Sequence, residues 1–244
     1  MLKDRNITTL KEMNRFGDMN VNAIRKLPTH HIIILVKTIS EDSICNQLIS
    51  ASHLTYFARR PRIPKSLLNQ HREGLIIGSA CEAGELYQAI LNQKSPQAVA
   101  RLAEFYDYYE IQPLGNNQFM IDSDRYGDIN SKEDLQNINR EIVSLGEKFK
   151  KPVVATCDVH FLDPEDEVYR RIIMAGKGFG DADTQPPLYL RTTDEMLEEF
   201  SYLGSAKARE IVIDNPNRIC DMVEKISPVN PNKCPPVIEI LSRI

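Results

Sequence analysis

The sequence predicts an α/β fold with mostly parallel strands and surrounding helices, and two observations predict it. Four short runs of β-branched and apolar residues have the length of strands that are buried on both faces. Longer segments with helical spacing separate these runs. Buried strands that alternate with helices usually form a parallel sheet with right-handed crossovers. Four strands are too few to close a barrel, so we expect a partial barrel.

The strands are predicted at residues 31–36, 74–79, 108–111 and 152–156. Helices are predicted at residues 41–56, 66–71, 82–91, from Ser95 onward, and at 131–149, 165–174, 193–201 and 205–223. Ser95 followed by Pro96 is typical of an N-cap and a first helical residue. Ser131 and Asp134 have the spacing of a capping box, with Asp in place of Glu. Residues 116–127 are predicted to form an irregular loop.

Composition excludes several classes of protein. The chain has 244 residues, with 30 Lys and Arg against 34 Asp and Glu, so its formal net charge is −4. This balance excludes nucleic-acid binding through bulk positive charge, although a local basic patch could still bind. The longest apolar run, residues 32–36, is too short to span a membrane, and the first residues lack the apolar region of a signal peptide. Five dispersed cysteines without a C-x-x-C motif indicate reduced thiols and a cytoplasmic location.

Ligand-type side chains follow two of the predicted strands. Cys81 comes after the strand at 74–79, and Asp158 and His160 follow the strand at 152–156. Ligands of α/β proteins bind at the carboxyl ends of parallel strands, and residues two apart in an extended chain point to the same side. A carboxylate, an imidazole and a thiolate suit Zn²⁺ or another transition metal. Each residue alone is more simply a turn or core residue, so on this chemistry a metal site and ordinary packing both stay open.

Two other groups of residues have two interpretations each. His30 and His31 precede the first strand, and at most one of them can face a site because strand neighbours point to opposite sides. A surface histidine is the simpler interpretation of either. The basic segment of Arg59, Arg60, Arg62 and Lys65 is a weak candidate for contact with nucleic-acid phosphates. A solvated loop is the more common outcome for such a charge cluster.

Several segments together carry a family resemblance. They are residues 31–37, 52–57, 60–64, 73–85, 105–113, 151–160 and 190–197, with Gly78-Ser-Ala-Cys-Glu-Ala-Gly-Glu85 and Cys157-Asp-Val-His160 among their motifs. Over almost the whole chain they resemble the PHP (polymerase and histidinol phosphatase) domain of PolC-type bacterial DNA polymerase III alpha subunits. The resemblance implies a distorted (βα)7 barrel whose metal cluster uses nine side chains. His31, Cys81, Asp158 and His160 match four of these ligands, and the match selects His31 over His30.

The chain departs from the family at its start. The family's opening H-x-H strand, a later D-H pair and a glutamate have no counterpart here, and in PolC-type enzymes an exonuclease is inserted after that first part. The resemblance therefore implies three regions. Residues 1–29 are a linker or N-terminal extension, residues 30–228 are the C-terminal portion of a PHP domain, and residues 229–244 are a tail that leads toward the polymerase region.

The implied function is that of a fragment of a replicative DNA-directed DNA polymerase. The family is a nucleotidyltransferase with a 3′–5′ exonuclease, and its polymerase uses Mg²⁺. This chain would contribute a scaffold and a partial site for Zn²⁺ or Mn²⁺. Its partners would be the first PHP strands, the exonuclease, the polymerase core and, through them, DNA, without any membrane. The chain alone is expected to be inactive. A stand-alone metal-dependent PHP phosphoesterase or exonuclease and a metal-free structural remnant are the alternatives.

Overall fold

The computed structural model describes residues 27–121 and 123–225 and confirms the α/β class. The predicted tail at 229–244 and most of the predicted linker at 1–29 therefore lie outside the described residues. The strands are β1 (Ile33–Val36), β2 (Leu75–Gly78), β3 (Tyr109–Ile111) and β4 (Val153–Ala155). The helices are α1 (Ile39–Leu54), α2 (Lys65–Gln70), α3 (Glu85–Leu91), α4 (Pro96–Phe105), α5 (Lys132–Phe149), α6 (Glu167–Gly176), α7 (Thr193–Glu199), α8 (Ser205–Arg209) and α9 (Asn215–Asp221). A π-helical turn at Glu210–Asp214 joins α8 to α9.

The four strands form two two-stranded sheets that lie side by side as one small mixed layer. β1 and β2 are antiparallel, with Ile33 opposite Gly78, and β3 and β4 are parallel, with Tyr109 opposite Val153. A parallel bridge between Gly78 and Tyr108 joins the two pairs. The strands in the described part of the chain are short and do not form a closed barrel.

The expectation of parallel strands is wrong for β1 and β2. Two helices, α1 and α2, separate these strands. The first helix carries the chain away from the end of β1 and the second returns it, so β2 starts at the end of the sheet where β1 stops. The amide of Lys37, directly after β1, donates to the carbonyl of Gly74, directly before β2, at 3.0 Å. A single crossover helix would have returned the chain to the other end and made the pair parallel. The parallel prediction holds for β3 with β4 and for the bridge between β2 and β3.

Side-chain caps fix two of the helix starts as predicted. The Ser95 hydroxyl accepts a hydrogen bond from the Ala98 amide at 3.3 Å, and Pro96 is the first residue of α4. At α5, Ser131 Oγ accepts from the Asp134 amide at 3.3 Å, and Asp134 Oδ2 accepts from the Asn130 amide at 3.0 Å. Asp134 thus accepts from the residue before the N-cap and from the Ser131 hydroxyl at 2.8 Å, so the N-cap is confirmed while the return bond differs from that of a capping box. The loop predicted at 116–127 contains 3₁₀ turns at Leu114–Met120 and Asp124–Tyr126.

The two faces of the sheet differ in size and polarity. Tyr109, Ile111 and Val153 face the main core, which they share with α3, α4 and α5. The opposite face carries a small apolar cluster of Ile76, Tyr108, Val154 and Ile219. Farther along β3 this second face becomes polar, because Glu110 and Gln112 follow Tyr108 at intervals of two residues and are both buried. The polar end coincides with the carboxyl ends of β2, β3 and β4.

Candidate metal centre

The antiparallel pairing of β1 with β2 brings His31 to Cys81. His31 precedes its strand and Cys81 follows its own, so a parallel pair would have placed them at opposite ends of the sheet. In the structure the His31 amide donates to the Ala83 carbonyl at 3.0 Å. The imidazole Nδ1 lies 3.5 Å from Cys81 Sγ. These two predicted ligands are therefore in contact.

The turns after β2 and after β4, which contain Cys81 and Asp158, each include a residue with left-handed backbone angles. Ala80, directly before Cys81, has φ 60°, and Asp158 has φ 55°. Such angles cost a non-glycine residue about 1–3 kcal/mol and occur often at functional sites. Next to Ala80, the Gly84 amide donates to the Cys81 carbonyl at 2.9 Å. A side chain at Gly84 would overlap the Ser79 carbonyl, so the turn requires glycine there.

Asp158 and His160 form a second pair after β4. His160 Nδ1 lies 2.9 Å from the carbonyl oxygen of Asp158 and 3.8 Å from its Oδ1, and both side chains are half-exposed. Because a carbonyl only accepts, Nδ1 carries the proton in this contact. The lone pair of Nε2 is then available to a metal ion, which is the usual arrangement of a metal-binding histidine. The His160 amide donates to the Leu188 carbonyl at 2.8 Å and fixes the backbone.

Glu110 is a candidate site residue that the sequence analysis missed. It lies on β3, between the strands that carry the two pairs, and is only 7% exposed. Its Oε1 accepts hydrogen bonds from Thr156 Oγ1 at 2.7 Å and from Gln112 Nε2 at 3.2 Å. Burial raises its pKa above the usual range, and the nearby charge of Asp158 raises it further. One signal was present in the sequence, because a glutamate interrupts an otherwise apolar strand.

In the metal-free protein, the side chain of Cys81 strongly favours the protonated thiol over the thiolate. Burial raises its pKa to about 12, and the charges of Glu82 and Glu110 add to the effect. A neutral thiol is a poor nucleophile, so this environment disfavours nucleophilic chemistry at Cys81 while no metal is bound. A bound cation would neutralise the negative charge of the neighbouring carboxylates and displace the proton of the Cys81 thiol. Metal binding to cysteine requires this deprotonation.

The four predicted ligands lie in two pairs. Their donors are two imidazoles, a thiol and a carboxylate, which by chemistry fit Zn²⁺ or Mn²⁺. Within residues 27–121 and 123–225, however, no three His, Cys, Asp or Glu side chains are close enough to hold one ion. Each pair supplies two ligands, whereas a structural zinc site takes four. A single site that includes all four residues stays a prediction.

Cys157 does not belong to this set. The alternation of side chains along the chain predicts that it points away from Asp158 and His160, and the structure confirms this. Its Sγ donates to the Tyr189 carbonyl at 3.1 Å, and the side chain packs against the main core.

The basic segment between α1 and α2 is divided between protein contacts and solvent. Arg62 donates to the Leu27 carbonyl at 3.4 Å. Lys65 forms an ion pair with Glu85, and its Nζ lies 4.6 Å from the centre of the Phe105 ring. Arg59 and Arg60 are exposed. Two of the four charges are therefore already engaged within the protein, and phosphate binding by this segment stays a prediction.

Comparison with known proteins shows what this chain is similar to. The model of the PHP domain matches residues 12–122. The PolC-type DNA polymerase III of Clostridium perfringens is 53% identical over 239 residues, which are 98% of this chain and 16% of the relative. The corresponding polymerases of Caldanaerobacter subterraneus subsp. tengcongensis and Bacillus subtilis are 51% and 40% identical, and each match covers 98% of this chain and 17% of the relative. The chain is therefore similar, over nearly its whole length, to one region of PolC-type DNA polymerase III. It spans about one sixth of the length of these relatives and includes PHP-domain sequence.

The part of the chain matched by the PHP model includes His31, Cys81 and Glu110, whereas Asp158 and His160 follow it. The polymerase matches extend over both groups. In the described residues, no helix is long and apolar enough to cross a membrane.

Proposed function

We propose that this chain acts as part of a replicative DNA polymerase of the PolC type, in which it forms a scaffold and contributes to a metal site. The observation that carries the proposal is the match of 98% of the chain, at 53% identity, to a PolC-type polymerase. A match that extends along nearly the whole chain supports the same role within the same larger protein. The polymerase adds deoxynucleotides to DNA, uses Mg²⁺ and works in the cytoplasm.

The metal site of the proposal consists of His31, Cys81, Asp158 and His160. Contact between His31 and Cys81 and the available Nε2 of His160 support it. The bound ion would be Zn²⁺ or Mn²⁺, which these donors suit. Because the donors lie in two pairs, the remaining ligands would come from the family's first PHP strands. The ion would hold these strands to the rest of the domain.

The proposed partners are the first PHP strands, the exonuclease and the polymerase core, with DNA bound through them. Arg59 and Arg60 are the residues of the basic segment best placed to contact a phosphate backbone, since both are exposed. Their contribution would be secondary, because the chain carries a net charge of −4.

Activity assays test the proposal against a stand-alone phosphoesterase. We expect the purified chain to show neither DNA synthesis nor metal-dependent hydrolysis of phosphate esters. We also expect DNA synthesis by a chimera in which these residues replace the matching stretch of the Clostridium perfringens polymerase. An inactive but folded chimera would contradict the proposal. Release of phosphate by the isolated chain with Mn²⁺, abolished by Asp158→Ala, would favour the phosphoesterase.

A further inference from the structure

An apolar surface that no other element of residues 27–121 and 123–225 covers lies on α6 and the residues that flank it. We define the α6 face as five large apolar side chains that are each more than half exposed: Leu162, Tyr169, Ile172, Ile173 and Phe179. No residue of α6 is buried. Single exposed apolar residues are normal on protein surfaces, but a contiguous group of this kind marks an interaction site.

Four of the five side chains of the α6 face, all except Ile172, line a groove of about 590 Å³. Leu162, Tyr169, Ile173 and Phe179 line it, and Arg170, Lys177 and Asp166 add charges of both signs. An apolar floor with mixed charges is typical of a surface that binds an apolar segment of another protein element. His160, a predicted metal ligand, also lines this groove. The groove is therefore continuous with the candidate metal centre.

Contacts along a neighbouring stripe of α6 hold the helix in this orientation. Arg170 Nε donates to Gln185 Oε1 at 2.7 Å, and Gln185 Nε2 donates to Met174 Sδ at 3.3 Å. Gln185 Nε2 also donates to the Ala182 carbonyl at 2.8 Å. These bonds attach α6 to the segment that follows it, so the exposure of the apolar residues is not the result of a detached helix.

We propose that the α6 face docks an apolar segment from the remainder of the same polymerase polypeptide. The inference rests on the proposed function. The matched relatives are about six times longer than this chain, so most of such a polypeptide lies outside it. A segment of the same polypeptide has an effective concentration in the millimolar range and loses little translational freedom on docking. A second copy of the chain would lack this advantage.

Thiol labelling of the chimera described above tests the docking. Ile173→Cys places a thiol in the groove, and Leu54→Cys places a control thiol on α1, where Leu54 is 79% exposed. The reaction with N-ethylmaleimide is followed at each site by mass spectrometry, in the 244-residue chain at low concentration and in the chimera. We expect labelling at position 173 to be at least about tenfold slower in the chimera, since tenfold protection needs only about 1.4 kcal/mol. The control should react equally fast in both proteins.

Two results would overturn the docking proposal. Equal labelling at position 173 in both proteins would mean that the face stays open in the polymerase. Protection that appears only as the chimera is concentrated would assign the face to a second copy. Tyr169→Cys repeats the test at a second position of the groove. DNA synthesis by a chimera that labels rapidly would refute the docking and leave the polymerase assignment intact, whereas an inactive, folded chimera would refute the assignment itself.

Discussion

At the scale of single residues, Glu110 sets much of the electrostatics of the candidate metal centre. Its carboxyl group is buried, and the groups that face it include Thr156 and Gln112 as donors and the charges of Asp158 and Glu82. Burial outweighs the two hydrogen bonds, so the pKa is raised. A carboxyl with a raised pKa in the folded state favours folding at low pH. That contribution is lost as the pH rises through the folded-state pKa.

Replacing Glu110 with glutamine should remove this pH dependence in the metal-free protein. The amide keeps an oxygen that accepts from Thr156 but carries no charge. We expect Glu110→Gln to be more stable than the wild type at pH 8, because the amide carries no charge that burial disfavours. The difference should vanish below the unfolded-state pKa of about 4.3. Urea unfolding at several pH values measures it, with the exposed Glu198→Gln as control. A stability difference that is the same at every pH would contradict this account.

Lys151 stabilises the C-terminal end of α4. Its Nζ donates to the carbonyls of Ala103 at 3.0 Å and Glu104 at 2.7 Å, and also to the carbonyl of Tyr106. Carbonyls at a helix end lack partners within the helix, and a positive charge there is favourable. We expect Lys151→Met to lower the free energy of unfolding by about 1.5–3 kcal/mol, the range for hydrogen bonds to charged groups. Lys94→Met, at an exposed position, should change it by less than about 0.5 kcal/mol. Equal effects of the two changes would refute this role.

At the scale of elements, a close approach between β2 and β3 positions the turn that carries Cys81. A side chain at Gly78 would overlap the ring of Tyr108. We expect Gly78→Ala to force the two strands apart and to cost about 1–3 kcal/mol, as overpacking does. The control is Gly176→Ala at the end of α6, where an added methyl group meets nothing within 4 Å. This change should be neutral or stabilising by up to about 1 kcal/mol. Urea unfolding compares the two, and a neutral Gly78→Ala would contradict the close-packing argument.

Local patterns predicted the elements better than their pairing. The caps at Ser95 and Ser131 and the apolar runs of β2 and β4 depend on neighbouring residues, which the sequence displays directly. The antiparallel pairing of β1 depends on where the chain returns after α1 and α2, and no local pattern reports that. The contact of His31 with Cys81 follows from this pairing, so periodicity alone could not predict it. Glu110 was missed because its burial depends on strands distant in the sequence.

At the scale of the whole molecule, the proposed function gives one explanation for three features of the described residues. The described strands form no closed barrel, the predicted ligands lie in two pairs, and the α6 face is uncovered. The chain also spans about one sixth of its matched relatives. Each feature has the same explanation if further parts of a polymerase polypeptide complete the barrel, the metal site and the apolar surface.

Metal content tests the central claim, that His31, Cys81, Asp158 and His160 hold a metal ion in a polymerase PHP domain. Equilibrium dialysis of the chain and of the chimera against Zn²⁺ or Mn²⁺, followed by elemental mass spectrometry, gives the number of ions bound per chain. We predict weak binding to the isolated chain, tighter binding to the chimera, and loss of the ion in Cys81→Ser and Asp158→Asn. Cys157→Ser, whose thiol points into the core, should retain it. An absence of metal from both proteins, or equal metal content in wild type and Cys81→Ser, would contradict the account.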